Sequence, residues 1–365
     1  MIGRTPDVLL KELLDHVVET NASDLHLSVG RPPILRLDGV LRAFSEVPPL
    51  TRGDMEAVVK IFLGHDEPER MLEGRQEVDM SYRHEHGVRF RVNIYTSLQN
   101  IAIALRMIPA TIRTLEELGL PADLEKFTHP SQGFVILAGP TGHGKTTTMA
   151  SLVDIINHAR TGHIITIEDP VEYMFQEDRC LIHQREVRTD TTSFAQALRM
   201  ALREDPNVVV VGEMRDLESI ATALTIAETG HLVFTTLHTN DAAQTIDRIV
   251  DVFPSSQQQQ IRVQLAGTLT GIVSQRLLPK QGGGRVPAVE VLVATPAVRN
   301  LVREGETAQI PGVIQTGAAV GMIPMDRSLK FLIDQGLVSA EDAAVYLHDS
   351  LLADISVSQQ MEQNR

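Results

Sequence analysis

The sequence predicts an α/β protein: an N-terminal α+β part, an open parallel sheet with helices on both faces, and a small helical C-terminal extension. Three observations predict it. Up to residue 108, helical patterns mix with short alternating strands and a hairpin turn. From residue 123, short apolar runs alternate with amphipathic helical patterns, as in a parallel sheet. At the first of those junctions, Gly139-Pro140-Thr141-Gly142-His143-Gly144-Lys145-Thr146-Thr147 fits the pattern G-x-x-x-x-G-K-[ST].

Thr5 is a plausible cap for a first helix with Pro6 at its first position. Leu10, Leu13, Leu14 and Val17 mark its buried face. Ser23–Ser28 alternates as a strand does. Ile34–Leu37 and Val40–Arg42 form a hairpin across Asp38-Gly39. Arg52–Leu63 reads as a helix. Val78–Tyr82 and Val88–Tyr95 read as strands around the turn His84-Glu85-His86-Gly87, and Ile101–Ile108 as the last strand. His84 and His86 find no further metal ligand at a usual spacing, so a solvated turn is expected. Residues 109–122 form a linker with a short helical piece, Leu115–Leu118.

The second part runs from 123 to 294. Its strands are Phe134–Ala138, Ile164–Ile167, Val208–Val211 and Leu232–Thr236, with helices after Lys145, around Phe194–Leu198 and over Leu217–Glu228. Gly282-Gly283-Gly284 lacks a following Lys-Thr and is a flexible hairpin turn between Leu277-Leu278-Pro279 and Val286–Val293. Gln257–Gln260 makes a polar helix face. Residues 295–365 are small helices that end in a polar tail, Ser356–Arg365. In Ala297–Leu301, residues Ala297, Val298 and Leu301 share an apolar face, and Arg299 points elsewhere, toward a neighbouring domain or a partner. A plain core-facing helix is the other reading.

Composition bounds the function. The 365 residues suggest two or three domains, and 43% apolar content suits a soluble globular protein. A formal net charge of −14 argues against a nucleic-acid-coating protein. The one cysteine, Cys180, excludes an intrachain disulfide and a cysteine-rich zinc site. No signal-peptide pattern and no apolar run of roughly 20 residues is present. A cytoplasmic protein with peripheral membrane contact is expected.

The chemistry centres on the glycine-rich loop. Glycines let backbone N–H groups curl round phosphates, and the helix N-terminus adds positive potential. With ATP, or its product ADP, as the nucleotide, Lys145 would hold the β-phosphate and, in ATP, the γ-phosphate, and the Thr146 hydroxyl would hold Mg²⁺. His143 fills a variable position and reads as neutral to the chemistry. Ligands of parallel sheets lie beyond the carboxyl ends of the strands, and Gly139, Glu168, Glu213 and His238 occupy four such ends. Glu213 follows four valines, a Walker B arrangement, and would position a water or hold the metal's water shell. Glu168 is either a second carboxylate toward the metal or a buried structural one. His238 either senses the γ-phosphate or is a satisfied core histidine. Arg89 and Arg91 share one strand face, with Arg106 near the end of the next strand. They fit a solvated sheet face or charge aimed at a phosphate.

These residues resemble the secretion ATPases, and within them the branch that retracts type IV pili. The resemblance spans nearly the whole chain. Ala22–Leu27 is similar to the family's opening motif, Ile165–Tyr173 to its Asp box, Ala201–Pro206 through Val211–Asp216 to its Walker B, and Thr229–Leu232 with Thr236–Thr239 to its His box. Ala297–Gly305 resembles the C-terminal motif of the retraction branch. The resemblance implies a homohexameric ATPase, with residues 1–108 PAS-like and residues 123–294 RecA-like. It implies that Arg91 and Arg106 face the nucleotide and that His231 and His238 belong to its site. It implies an inner-membrane platform protein of the pilus as partner, no nucleic acid, and no transmembrane segment. Three departures stand out: His143 replaces the usual Ser, Gln99 stands where a further arginine is expected, and Val298 replaces the usual Ile. Extension and type II secretion relatives usually carry an extra N-terminal domain and a tetracysteine motif, neither of which is expected here. The expected function is therefore a pilus-retraction motor. The alternatives are an accessory paralogue and a low-turnover nucleotide-binding regulator.

Overall fold

The computed structural model describes residues 5–37, 39–63, 77–108, 111–214 and 216–346. Asp38 of the hairpin turn, Pro109, Arg215, His348, the chain start before Thr5 and the tail Ser356–Arg365 lie outside the described residues. The chain divides into two compact units, residues 1–111 with 170–174, and residues 112–169 with 175–365.

In the first unit, helix α1 (Pro6–Glu19) buries Leu10, Leu13, Leu14 and Val17, the expected stripe. Thr5 occupies the cap position, but its side chain makes no capping hydrogen bond. Pro6 carries that start instead, since its fixed φ suits a first turn and it has no N–H to satisfy. Helix α2 (Arg52–Leu63) buries Met55, Val58, Val59 and Phe62. Both helices share a core with an antiparallel sheet of β1 (Asp24–Ser28), β2 (Ile34–Leu37), β3 (Val40–Ala43), β4 (Val78–Arg83), β5 (Arg89–Ser97) and β6 (Asn100–Ile108), ordered β3-β2-β1-β6-β5-β4. Strand β5 alternates cleanly: Phe90, Val92 and Ile94 are buried, and Arg89, Arg91 and Asn93 take the other face. Gln99 sits with Leu98 at the tip of the β5–β6 hairpin, at φ of +62° and +50°. A two-residue hairpin turn favours that left-handed backbone, although glycine or asparagine usually supplies it.

His84 corrects the solvated-turn expectation. Its ring is buried, and Nε2 lies 2.7 Å from an Asp15 carboxylate oxygen. His86 has a described backbone only.

In the second unit, a mixed sheet is built from β7 (Gly133–Ala138), β8 (Gly162–Glu168), β9 (Cys180–Glu186), β10 (Val208–Val211), β11 (Leu232–Leu237), β12 (Leu269–Pro279) and β13 (Arg285–Val293). The order is β13-β12-β7-β11-β10-β8-β9, and every neighbouring pair is parallel except β12–β13. Strands β7, β10 and β11 are buried at every residue. Phe134, Ile136 and Ala138 feed one core, and Val135 and Leu137 feed the other. A strand covered on both faces reads as a continuous apolar run, which is why these were legible.

Helix α3 (Lys145–Ala159) packs on the second of these cores. Helices α4 (Phe194–Ala201), α5 (Leu217–Glu228), α6 (Ala242–Asp251), α7 (Ser255–Thr268), α8 (Pro296–Glu304) and α9 (Ile310–Thr316) pack on the first. Ser193, Asp216, Asp241 and Thr295 cap α4, α5, α6 and α8 through their side chains. Helices α10 (Met325–Asp334) and α11 (Ala340–Ala344) cover the far end of β12–β13. The expected helical piece at Leu115–Leu118 is a turn, closed where Gly119 takes φ +71°, and a 3₁₀ segment follows at Ala122–Thr128. No helix among the described residues is long and apolar enough to cross a membrane.

Helix α8 also differs from its expected face. Val298 and Val302 are buried, Leu301 packs beside them, and Ala297 is exposed. Arg299 does not reach out to a partner. Its guanidinium donates to the carbonyls of Ala266 and Gly267 at 2.7 Å each, and to Ala294 at 3.1 Å. It thereby satisfies carbonyls of the last turn of α7, which have no partner within the helix.

Arg299→Ala is therefore expected to destabilise the second unit by about 1.5–3 kcal/mol, the usual range for hydrogen bonds to a charged group. Urea unfolding of the purified chain measures it. An unchanged midpoint would remove Arg299 from the framework of α7.

Asp24 carries the second expectation. Burial pushes its carboxyl up, but the Ser23 hydroxyl and the Arg106 guanidinium outweigh burial and hold it below the usual carboxylate range. Arg106 Nε lies 2.8 Å and Arg36 Nε 3.6 Å from its oxygens. A folded-state value below the unfolded one contributes stability above the ordinary carboxyl value of about 3.9, lost as pH falls through the lower folded value. Asp24→Asn should cost about 1–3 kcal/mol at pH 7, and the gap to the wild type should close in strong acid. A gap that persists unchanged at low pH would mean that the ion pair contributes nothing.

Candidate nucleotide site

Because β7, β11, β10 and β8 are parallel, the chain leaves all of them at one edge of the sheet. That edge receives Gly139 after β7, His238 after β11, Glu213 after β10 and Glu168 at the end of β8. Thr236 ties two of the strand ends together, its hydroxyl donating to the Gly212 carbonyl at 2.6 Å.

The loop Gly139–Gly144 bridges the end of β7 and the first turn of α3. Gly139 has φ +143°, and a Cβ there would meet the Gln275 carbonyl oxygen at 2.5 Å. Gly144 is the left-handed residue at the N-cap of α3, with Gln275 Nε2 2.8 Å from where its Cβ would be. Gly139 is therefore restricted to glycine by space and backbone, and Gly144 chiefly by its left-handed backbone. Gly142, at φ +80°, has nothing around the Cβ position. Pro140 and Thr141 complete the bend, with Thr141 exposed.

Lys145 is buried, and its ammonium donates to the carbonyls of Gly139 and Pro140 at 2.8 and 2.9 Å. It also lies 3.4 Å from Nδ1 of His238. An ammonium can only donate, so Nδ1 accepts and a neutral ring carries its proton on Nε2. That nitrogen faces Glu213, 3.6 Å from Oε2. Lys145, His238 and Glu213 thus form one chain of contacts across β7, β11 and β10, with Thr141 Oγ1 also 3.4 Å from His238. His238 is no buried core histidine: 45% of its side chain is exposed.

Glu168 is more remote. It ends β8, three strands over from β7, about 14 Å along the sheet at the usual strand spacing. Its carboxylate is buried, accepting from the Thr166 hydroxyl at 2.7 Å and from Gln184 Nε2 at 3.4 Å. The structure does not bring His231 to this edge. It precedes β11, at the opposite end of a six-residue strand, about 23 Å from His238 by strand rise. Its Nδ1 lies 2.9 Å from the Ile226 carbonyl, and so it helps close the end of α5.

Arg91 and Arg106 belong to the first unit and are cross-strand partners there. Arg91 reaches both Asp79 oxygens, at 3.3 and 2.6 Å, and Arg106 reaches Asp24. Arg89 contacts the Met174 sulfur at 3.1 Å. The Arg91 and Arg106 side chains both keep solvent exposure, and carboxylates fix their positions on the sheet face.

The residues suit a magnesium nucleotide. A glycine-lined loop, open at Gly142, stands at the N-terminus of a 15-residue helix, where backbone N–H groups and dipole favour phosphate. Thr146 lies in the first turn of α3, beside Thr147. Among the described residues no group of three or more His, Cys, Asp or Glu could hold a metal alone. Mg²⁺ needs no such cage, because it takes one or two protein ligands with phosphates and waters.

Sequence reasoning found only the end of the strand beside the loop, Leu277–Pro279 before the hairpin turn, and missed its polar middle. Gln275 is buried and links the Thr148 hydroxyl, at 2.7 Å, to the His143 carbonyl, at 2.8 Å. Arg276 is buried too, donates to Asn240, and lies over the Tyr346 ring at 5.5 Å. The readable signal was Ser274-Gln275-Arg276, three polar residues inside an apolar run.

The family model for the type II/IV secretion system protein matches residues 5–283. The type IV pilus retractation ATPase PilT of Pseudomonas aeruginosa is 46% identical, over 92% of this chain and 96% of its own length. The twitching motility protein of Neisseria gonorrhoeae is 44% identical, over 92% and 89%. A crystal structure of the pilus retraction motor PilT with bound ADP superposes with a TM-score of 0.85 and 45% identity, over 93% of this chain and 97% of that one. The loop, the strand edge and these matches agree, and the chain belongs to the type II/IV secretion system protein family, alongside the pilus retraction ATPases.

Proposed function

We propose that this chain is the ATP-hydrolysing subunit of a homohexameric motor that powers type IV pilus retraction. The observation that carries the proposal is the Lys145–His238–Glu213 chain at the mouth of a glycine loop, in a chain so similar to an ADP-bound retraction motor. The motor acts in the cytoplasm at the inner membrane, against the platform protein of the pilus, and takes no nucleic acid. Residues 1–108 form its PAS-like domain, 109–122 the linker, 123–294 the RecA-like core and 295–365 the helical extension.

Backbone N–H groups of Thr141 to Thr147 and the Lys145 ammonium bind the β- and γ-phosphates. For Lys145 this exchanges two loop carbonyls for phosphate oxygens. A magnesium ion bound with the nucleotide would supply positive charge against the charge that develops in phosphoryl transfer. Thr146 would hold it directly and Glu213 its water shell, with Glu168 the more distant second carboxylate. Glu213 orients the attacking water, and His238 sits where it can report on the γ-phosphate to both Lys145 and Glu213. Arg91 and Arg106, aimed by Asp79 and Asp24, supply positive charge to the transferring group.

Steady-state hydrolysis and equilibrium nucleotide binding test the assignment together. Lys145→Ala should weaken ATP binding, because it removes a ground-state contact. Glu213→Gln should bind ATP normally and hydrolyse it about 100-fold or more slowly, as for a lost water-positioning base. Wild-type turnover in Glu213→Gln would withdraw its role. Wild-type hydrolysis that fails to restore twitching to a retraction-defective strain would favour the accessory paralogue.

A further inference from the structure

Strand β12 outruns its neighbour. Its last pairing with β7 is Ser274 to Ala138, and β12 continues to Pro279. Past that point the glycine loop lies along β12 in place of a strand. The Leu277 N–H donates to Nδ1 of His143 at 2.9 Å. Gln275 Nε2 donates to the His143 carbonyl at 2.8 Å, and Arg285 of β13 donates to the Gly142 carbonyl at 3.3 Å. The side chain at this position of the loop therefore completes the hydrogen bonding of a backbone that β7 no longer serves.

We propose that His143 is a positioning residue of the phosphate loop: its neutral imidazole latches the loop to the Leu277 amide, and protonation opens the latch and lowers nucleotide affinity. The inference rests on the loop being the nucleotide site.

The bond requires Nδ1 to accept, which an imidazolium cannot do. Burial first, then the charges of Arg276, Lys145 and Arg285, hold the imidazole below its ordinary range. These are the charged groups that face it from β12, α3 and β13. The latch is closed at neutral pH and is lost as pH falls through that lowered value, below about 6.5. An imidazolium also attracts phosphate. The Leu277 amide's loss of its acceptor opposes that attraction, and the direction of the affinity change in acid decides between them.

The test measures ADP affinity of the full chain at pH 7.5 and pH 5.5. The proteins are the wild type, His143→Ala, His143→Asn and Lys145→Ala. At pH 7.5, His143→Ala should bind about tenfold more weakly, and His143→Asn should recover most of this through its amide oxygen. Protonation of ADP is common to all. Toward pH 5.5 the wild type should lose about fivefold more affinity than His143→Asn, because one backbone hydrogen bond opens. Protection of the Leu277 amide from hydrogen exchange should fall in parallel in the wild type alone. Coincident pH profiles for the wild type and His143→Asn, or a wild type that gains affinity in acid relative to it, overturn the latch. If Lys145→Ala binds ADP as tightly as the wild type, the nucleotide-site reading fails, and the latch with it. Weak binding by Lys145→Ala with coincident histidine profiles rejects the latch alone.

Discussion

The close passage of the Gly139 backbone over the Gln275 carbonyl is the constraint on which the site depends. A methyl group at residue 139 would lie 2.5 Å from that oxygen, well inside any tolerable contact. The passage lets the chain turn from β7 into the loop while still resting on β12. Gln275 then fixes the following bend, through the carbonyl of His143 and the hydroxyl of Thr148 on the first helix turn. A loop of this kind works by holding backbone N–H groups in place before a ligand arrives. Here the rigid element that holds them is a largely buried strand, second from the edge of the sheet and paired on both sides.

Parallel register does the rest. Four strands that end together deliver a lysine, a histidine and carboxylates to one edge, and their mutual contacts set roles that differ by position. His238 stands between Lys145 and Glu213, so any charge placed at the loop is felt at the carboxylate through one imidazole. Glu168 is held by Thr166 and Gln184, which fixes its orientation at the cost of reach. The first unit follows another principle. Its arginines Arg91 and Arg106 are partly exposed, and each is held by an acidic neighbour across the sheet.

Most of the fold was legible because its central strands are apolar on both faces and its helices carry a clear stripe. What escaped the sequence was half-polar or depended on distant partners. Strand β9 lies at the sheet edge with Leu181, Gln184 and Arg185 partly or fully out of the core, so it shows no apolar run. His84 looked like part of a polar turn, and only the fold supplies Asp15 from α1. Arg299 reads as a surface charge until α7 ends beside it. At the site, the glycine loop and the strand-end residues Glu213 and His238 could be read from motif and strand ends. Gln275 was marked only by the polar run Ser274-Gln275-Arg276 inside apolar residues, and what it does there depends on His143 and Thr148, distant in the sequence. His231 misled for a simple reason: it stands one residue before its strand, and strand direction decides which edge it joins.

Amide hydrogen exchange with and without ADP tests the central claim most directly. The account predicts that ADP protects the backbone of residues 139–147 first and most strongly, with smaller protection at Gln275 to Leu277 and around Glu213 and His238. Binding without protection of the glycine loop, or with protection concentrated elsewhere in the chain, would contradict it.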